Sequence, residues 1–247
     1  MNETLLTVNH VTKRFGGLVA VNDVTFDLYK GEVLGLIGPN GAGKTTLFNC
    51  ISGTYAPEEG TIMFSSEDIT GMRPHQVCGR GLVRTFQIVK PFASLTVVDN
   101  VMVGAFHNTN RTHIARDKAR EVVEFVGLGK RADQEARNLT TAGRKRLELA
   151  KALATEPHLL LLDEVMAGLT PTESAEVVQL IRRIGYELDI TLLVIEHVMK
   201  AIMALSDRIA VLHHGELLAI DTPQVIASDE KVIEAYLGKE YAHAHTA

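Results

Sequence analysis

Apolar and polar positions follow two different periods along the chain, and the switches between them mark out its elements. Residues 5–11 and 18–28 alternate with period two, clearest at Val19, Val21, Val24, Phe26 and Leu28, which predicts antiparallel strands near the amino end joined by a Phe15-Gly16-Gly17 turn. Lys30-Gly31 makes a second turn, residues 33–37 form a short apolar strand, and 44–52 continue as a helix. Pro57-Glu58-Glu59-Gly60 turns the chain into a strand at 61–64, followed by a helix at 73–80 and a strand at 82–86 that ends at Gln87. From 88 to about 155 the signals become helical, at 96–103, 115–126 and 145–154; Thr96 with Asp99 three residues on resembles an N-terminal cap, and Val122, Val123 and Val126 share a face. Strand and helix then alternate, with strands at 159–162 and 191–195 and helices at 172–187 and 198–205. Two final strands at 208–212 and 216–220 are joined by His213-His214-Gly215.

This alternation predicts an α/β chain with a mainly parallel sheet covered on both faces, an antiparallel β part near the N-terminus and an inserted α-helical subdomain. A single domain is expected to span 1–247, with 1–87 and 156–247 as its core and about 88–155 as the helical insertion.

The 247 residues are 46% hydrophobic, ample for a core, and a net charge of −5 argues against a chain whose main role is holding nucleic acid. Cys50 and Cys78 show neither metal-ligand nor pairing spacing, which suits a reducing compartment and predicts two buried packing residues. The first residues, Met1-Asn2-Glu3-Thr4-Leu5, lack a basic-then-apolar secretory layout, and no uncharged apolar run approaches the ~18 residues of a membrane span. A cytosolic chain is expected, with any membrane role coming through a partner.

Residues 38–45, Gly38-Pro39-Asn40-Gly41-Ala42-Gly43-Lys44-Thr45, fit the phosphate-binding pattern G-x-x-x-x-G-K-[ST], and they lie at the strand-to-helix turn that the pattern requires. The glycines let the backbone wrap a polyphosphate, while amide N–H groups at the helix start, with the favourable end of its dipole, face the oxygens. Lys44 would bridge the outer phosphates and the Thr45 hydroxyl would ligate Mg²⁺, with Gly38, Asn40, Gly41, Ala42, Gly43 and Thr46 completing the nucleotide-binding set. The apolar run Leu159-Leu160-Leu161-Leu162 ends in Asp163-Glu164, as expected of a buried parallel strand whose tip enters a phosphate site. There Asp163 would hold Mg²⁺, directly or through water, and Glu164 could polarise the attacking water. His197, at the tip of the next strand, is a candidate γ-phosphate contact.

The ordered set of Phe15, Gly38 to Thr45, Gln87, Leu139 to Gly143, Asp163-Glu164, Ala167 to Thr170 and His197 resembles the nucleotide-binding subunit of ATP-binding cassette (ABC) transporters over nearly the whole chain. The resemblance implies that Phe15 stacks on adenine, with a hairpin-packing aromatic as the alternative. It also implies that Gln87 contacts Mg²⁺ or water and begins a loop that senses membrane subunits, that Glu164 is the catalytic carboxylate, and that His197 is the switch histidine. The family's Leu-Ser-Gly-Gly-Gln signature falls on Leu139-Thr140-Thr141-Ala142-Gly143. Thr140 keeps the hydroxyl expected to reach a γ-phosphate across a dimer, but Ala142 replaces a glycine and Gly143 the glutamine; a shift of one residue would align Gly143 with a glycine but displace the following helix. Thr170 stands where many members have aspartate and Val165 where they have proline.

Within the family, Val83-Arg84-Thr85-Phe86-Gln87, Ala167-Gly168-Leu169, Ile195-Glu196-His197 and Val232-Ile233-Glu234-Ala235-Tyr236-Leu237-Gly238 look like the ATPases of branched-chain amino acid importers. Urea or amide importers and a lipopolysaccharide export ATPase are neighbouring alternatives. The implied partners are a second ATPase subunit, identical or related, in a head-to-tail dimer, two membrane permease subunits and, indirectly, a solute-binding protein; the implied location is the inner face of the cell membrane. A small-molecule kinase would need an acceptor pocket and cationic lid, which the sequence does not reveal. An ATPase acting on nucleic acid or ribosomes would generally carry a second cassette or a coiled coil, and this chain has one cassette and no sustained heptads. The alternating histidines of the tail, His243 and His245, suit a solvated terminus better than a metal site.

Overall fold

Strands β1 (Thr4–Phe15) and β2 (Leu18–Tyr29) pair antiparallel around Gly16-Gly17, and their alternation puts Leu6, Val8 and Val11 of one and Val21, Val24, Phe26 and Leu28 of the other into the core. The computed structural model describes residues 3–86 and 90–237. These residues fall into two compact units, one built from the chain up to Val77 and from Thr191 onward, the other from Cys78–Ile190.

In the first unit β4 (Glu59–Phe64) joins the other edge of β1 and the short β5 (Glu67–Asp68) follows, giving an antiparallel sheet in the order β2-β1-β4-β5. A second group of strands centres on β3 (Val33–Ile37), which pairs in parallel with β8 (Thr191–Ile195) and β9 (Arg208–His213); β10 (Glu216–Asp221) closes it as an antiparallel edge. Helix α1 (Lys44–Ile51) leaves β3 through the phosphate loop and buries Leu47, Phe48 and Ile51. Helix α7 (Met199–Leu205) packs on β3 at Gly35, where a Cβ would come within 2.9 Å of Ile202 Cγ1. The short helices α8 (Pro223–Ser228) and α9 (Glu230–Leu237) complete the unit; the sequence patterns did not predict them.

In the second unit β6 (Leu82–Arg84) and β7 (Leu159–Asp163) run parallel, Leu82 opposite Leu159, and every residue of β7 is buried. Helices α3 (Val97–Ala105), α4 (Thr112–Phe125) and α5 (Thr141–Leu153) share a core of Val97, Val98, Val101, Ala115, Ala119, Val122, Val123, Leu147 and Ala150. Each large apolar side chain enclosed there contributes roughly 1.5–3 kcal/mol relative to exposure. The Thr96 hydroxyl caps α3 by accepting the Asp99 N–H at 3.1 Å, as the sequence predicts. Helix α6 (Pro171–Leu188) completes this unit.

Three local expectations change. Helix α2 (Pro74–Cys78) is shorter than 73–80, because glycines follow it at 79 and 81 and the chain turns through a Gly81 N–H bond to the Cys78 carbonyl. Strand β6 stops at Arg84, leaving Phe86 58% exposed, and Cys78 is half-buried where a buried packing residue was expected.

Candidate functional site

The phosphate loop is the turn from β3 into α1, and two of its glycines are required by what surrounds them. Gly38 has φ +152 and a Cβ there would meet the Leu212 carbonyl oxygen at 2.2 Å; Gly43 has φ +101 and would meet that of Ala20 at 2.3 Å. The Lys44 side chain is drawn into the loop, 6% exposed, its Nζ donating to the carbonyls of Gly38 at 2.7 Å and Pro39 at 3.0 Å. Asn40, Gly41 and Thr45 are exposed, Thr46 is half-buried and Ala42 is buried. No acidic side chain occupies the first turn of α1, so its N-terminal amides and dipole favour an anion.

Phe15 ends β1 and is 42% exposed. One edge contact is made, a T-shaped arrangement with Tyr55 at 5.2 Å between centroids, and Lys13 Nζ lies 5.5 Å from the ring. The ring therefore packs on a residue outside the β1–β2 hairpin and keeps an open aromatic surface. His197 is exposed, two residues past β8, whereas Glu196 beside it is buried. Tyr236 of α9 belongs to the same unit: burial pushes its phenol up to about 12, and the Gly38 backbone N–H near it pulls the other way.

In the second unit, Asp163 closes β7 at 3% exposure and Arg84 Nη2 donates to its Oδ2 at 2.7 Å. The ladder continues past Arg84, with the Thr85 N–H on the Leu161 carbonyl at 2.9 Å. Glu164 then takes a left-handed backbone, φ +49, which costs a side-chain-bearing residue roughly 1–2 kcal/mol. Its carbonyl accepts from Lys145 Nζ at 3.1 Å and from the Ala167 N–H at 3.2 Å.

Thr140 is exposed and caps α5, its hydroxyl oxygen accepting the Gly143 N–H at 3.2 Å, an arrangement that leaves the hydroxyl proton available as a donor. Ala142 is half-buried, and Gly143 packs tightly, since a Cβ there would lie 3.3 Å from Leu139. Thr170 caps α6 in a reciprocal arrangement with Glu173, and Val165 is buried. The expected metal contact Gln87 lies outside the described residues.

Thr45 of the first unit and Asp163 of the second each carry a hard oxygen donor, the kind taken by Mg²⁺, an ion that protein usually binds through one or two side chains together with substrate phosphates. Among the described residues no group of three or more His, Cys, Asp or Glu side chains is arranged to hold a metal. Sequence reasoning gave no role to Arg84, Lys145 or Tyr236. The partners of Arg84 and Lys145 lie 79 and 19 positions away, Gly38 lies 198 positions from Tyr236, and only the charge of Arg84 within an apolar strand offered a local signal.

Residues 21–167 match the family described as ABC transporter, and residues 216–242 match the one described as branched-chain amino acid ATP-binding cassette transporter. The chain is 42% identical to the high-affinity branched-chain amino acid transport ATP-binding protein LivG of Escherichia coli K12, covering 97% of this chain and 100% of that protein. It is 40% identical, with the same coverage, to BraF of Pseudomonas aeruginosa, a high-affinity branched-chain amino acid transport ATP-binding protein. Among solved structures, the ADP conformation of MJ1267, an ATP-binding cassette of an ABC transporter, superposes with a TM-score of 0.86 at 30% identity, covering 96% of this chain and 99% of that one.

Proposed function

The chain belongs to the ABC transporter family, and from that premise we propose that it is the ATP-binding and ATP-hydrolysing subunit of an importer of branched-chain amino acids. The observation that carries the reading is the phosphate loop, with glycines at the two positions that admit no side chain and Lys44 drawn over its carbonyls, in a chain alike over 97% of its length to LivG and BraF.

In this reading Lys44 exchanges its bonds to the Gly38 and Pro39 carbonyls for the outer phosphates of ATP, and the α1 amides hold the remaining oxygens. The open surface of Phe15 takes the adenine. Thr45, Asp163 and Gln87 would hold Mg²⁺, whose chemistry when bound is to neutralise phosphate charge. Glu164 takes the proton of the attacking water and His197 donates to the γ-phosphate. Positioning and charge neutralisation supply the catalysis, since no covalent intermediate is needed.

Thr140, Ala142 and Gly143 would serve the nucleotide of a second ATPase subunit, identical or related, in a head-to-tail dimer. The dimer would act on two membrane permease subunits fed by a solute-binding protein, with this chain on the cytoplasmic face and no nucleic acid involved. No described helix is long and apolar enough to cross a membrane, which is consistent with attachment through permeases. Calorimetry of ATP binding tests the reading: Lys44→Ala is expected to lose most of its affinity, and undiminished binding would remove the assignment.

A further inference from the structure

Glu164 holds a left-handed backbone that glutamate does not favour, so its surroundings must fix it. Two donors meet its carbonyl. The Ala167 N–H belongs to the local turn, but Lys145 comes from another element, helix α5, and its side chain is buried with the residue 7% exposed. Burying a lysine is costly unless its ammonium is well placed, so this contact is a built feature of the fold. Lys145 stands five residues after Thr140, the cap of α5, and the intervening first turn is the Thr140–Gly143 segment expected to face a partner's nucleotide.

We propose that Lys145 is a positioning residue for hydrolysis: through its hydrogen bond to the Glu164 carbonyl it fixes the backbone that carries the general base, and it links the α5 N-terminus to that base within one chain. The inference rests on the assignment of Glu164 as general base. A shift of α5 when Thr140 engages a nucleotide then changes the set of Glu164 in the same subunit, so binding at one site is felt by the base that serves the other.

Steady-state kinetics of the full chain test this. Lys145→Met keeps the apolar stem and loses the donor. It is expected to lower kcat about 10-fold or more with the KM for ATP unchanged, since small displacements of a catalytic group can be worth that much. Lys145→Arg, which keeps a cationic donor, is expected to recover most of the loss. In a Glu164→Gln background Lys145→Met should cost almost nothing further, because the group it positions is already disabled.

The proposal is overturned by a folded Lys145→Met chain with the kcat of the unaltered protein, by failure of Lys145→Arg to recover activity, or by a full additional loss in the Glu164→Gln background. If Lys145→Met does not fold, Lys145→Leu, which also loses the donor, carries the same comparison. Wild-type turnover in Glu164→Gln alone would instead remove the general-base assignment. An inactive Glu164→Gln beside a fully active Lys145→Met leaves that assignment standing and removes the role of Lys145.

Discussion

Arg84 and Asp163 form an ion pair at 2.7 Å whose side chains are 8% and 5% exposed, so the carboxylate expected to serve the metal is already partnered inside the protein. Enclosed charges of this kind contribute little net stability as a pair, but removing one partner leaves the other stranded. Arg84→Met is therefore expected to destabilise the chain by about 3–5 kcal/mol, and Arg84→Met combined with Asp163→Asn by clearly less. Urea denaturation of the two variants makes the comparison; an equal or larger loss in the double variant would show that the pair is not what Arg84 contributes.

The cap of α5 gives a second expectation. Thr140→Ala removes the acceptor of the Gly143 N–H and should cost about 1 kcal/mol in stability, whereas Thr140→Ser keeps both the cap and the hydroxyl proton. If that proton also serves a partner's γ-phosphate, the alanine variant should lose hydrolysis beyond what its lower stability explains, and the serine variant should not. Measuring urea midpoints and phosphate release on the same preparations separates the two effects.

The thiols provide a check on the packing. Burial pushes Cys50 up to about 11, with a smaller downward pull from Lys13 and an upward one from Glu58, and burial also raises Cys78. A raised thiol pKa means less thiolate at a given pH. At pH 8 roughly one Cys50 in a thousand would be ionised, against about one in four for an unperturbed thiol. An aromatic disulfide reagent should label the half-buried Cys78 first and reach Cys50 only on unfolding; early labelling of Cys50 would contradict the packing around α1.

What could be read beforehand was whatever a short window of residues decides. The period-two runs of β1 and β2, the apolar run of β7, the glycines of the phosphate loop and the Thr96 cap are all local, and the structure holds them where the pattern puts them. The elements that were missed depend on distant partners. Arg84 lies in what looks like an ordinary short strand until Asp163, 79 positions on, is brought to it. Lys145 looks like any polar position of a helix, and its value lies in reaching the Glu164 carbonyl. Helix α8 is an exception of another kind: Pro223 stands in its first turn, but Thr222 at the N-cap position makes no side-chain cap bond, and six residues are too few to show a period.

Phosphate release from Glu164→Gln at saturating ATP, measured beside the unaltered chain, tests whether this chain hydrolyses ATP with Glu164 as the base. Turnover is expected to fall by about 100-fold or more while ATP affinity is kept, the loss that follows when a general base is replaced by its neutral isostere. Turnover equal to that of the unaltered chain would contradict it and require another group to activate the water.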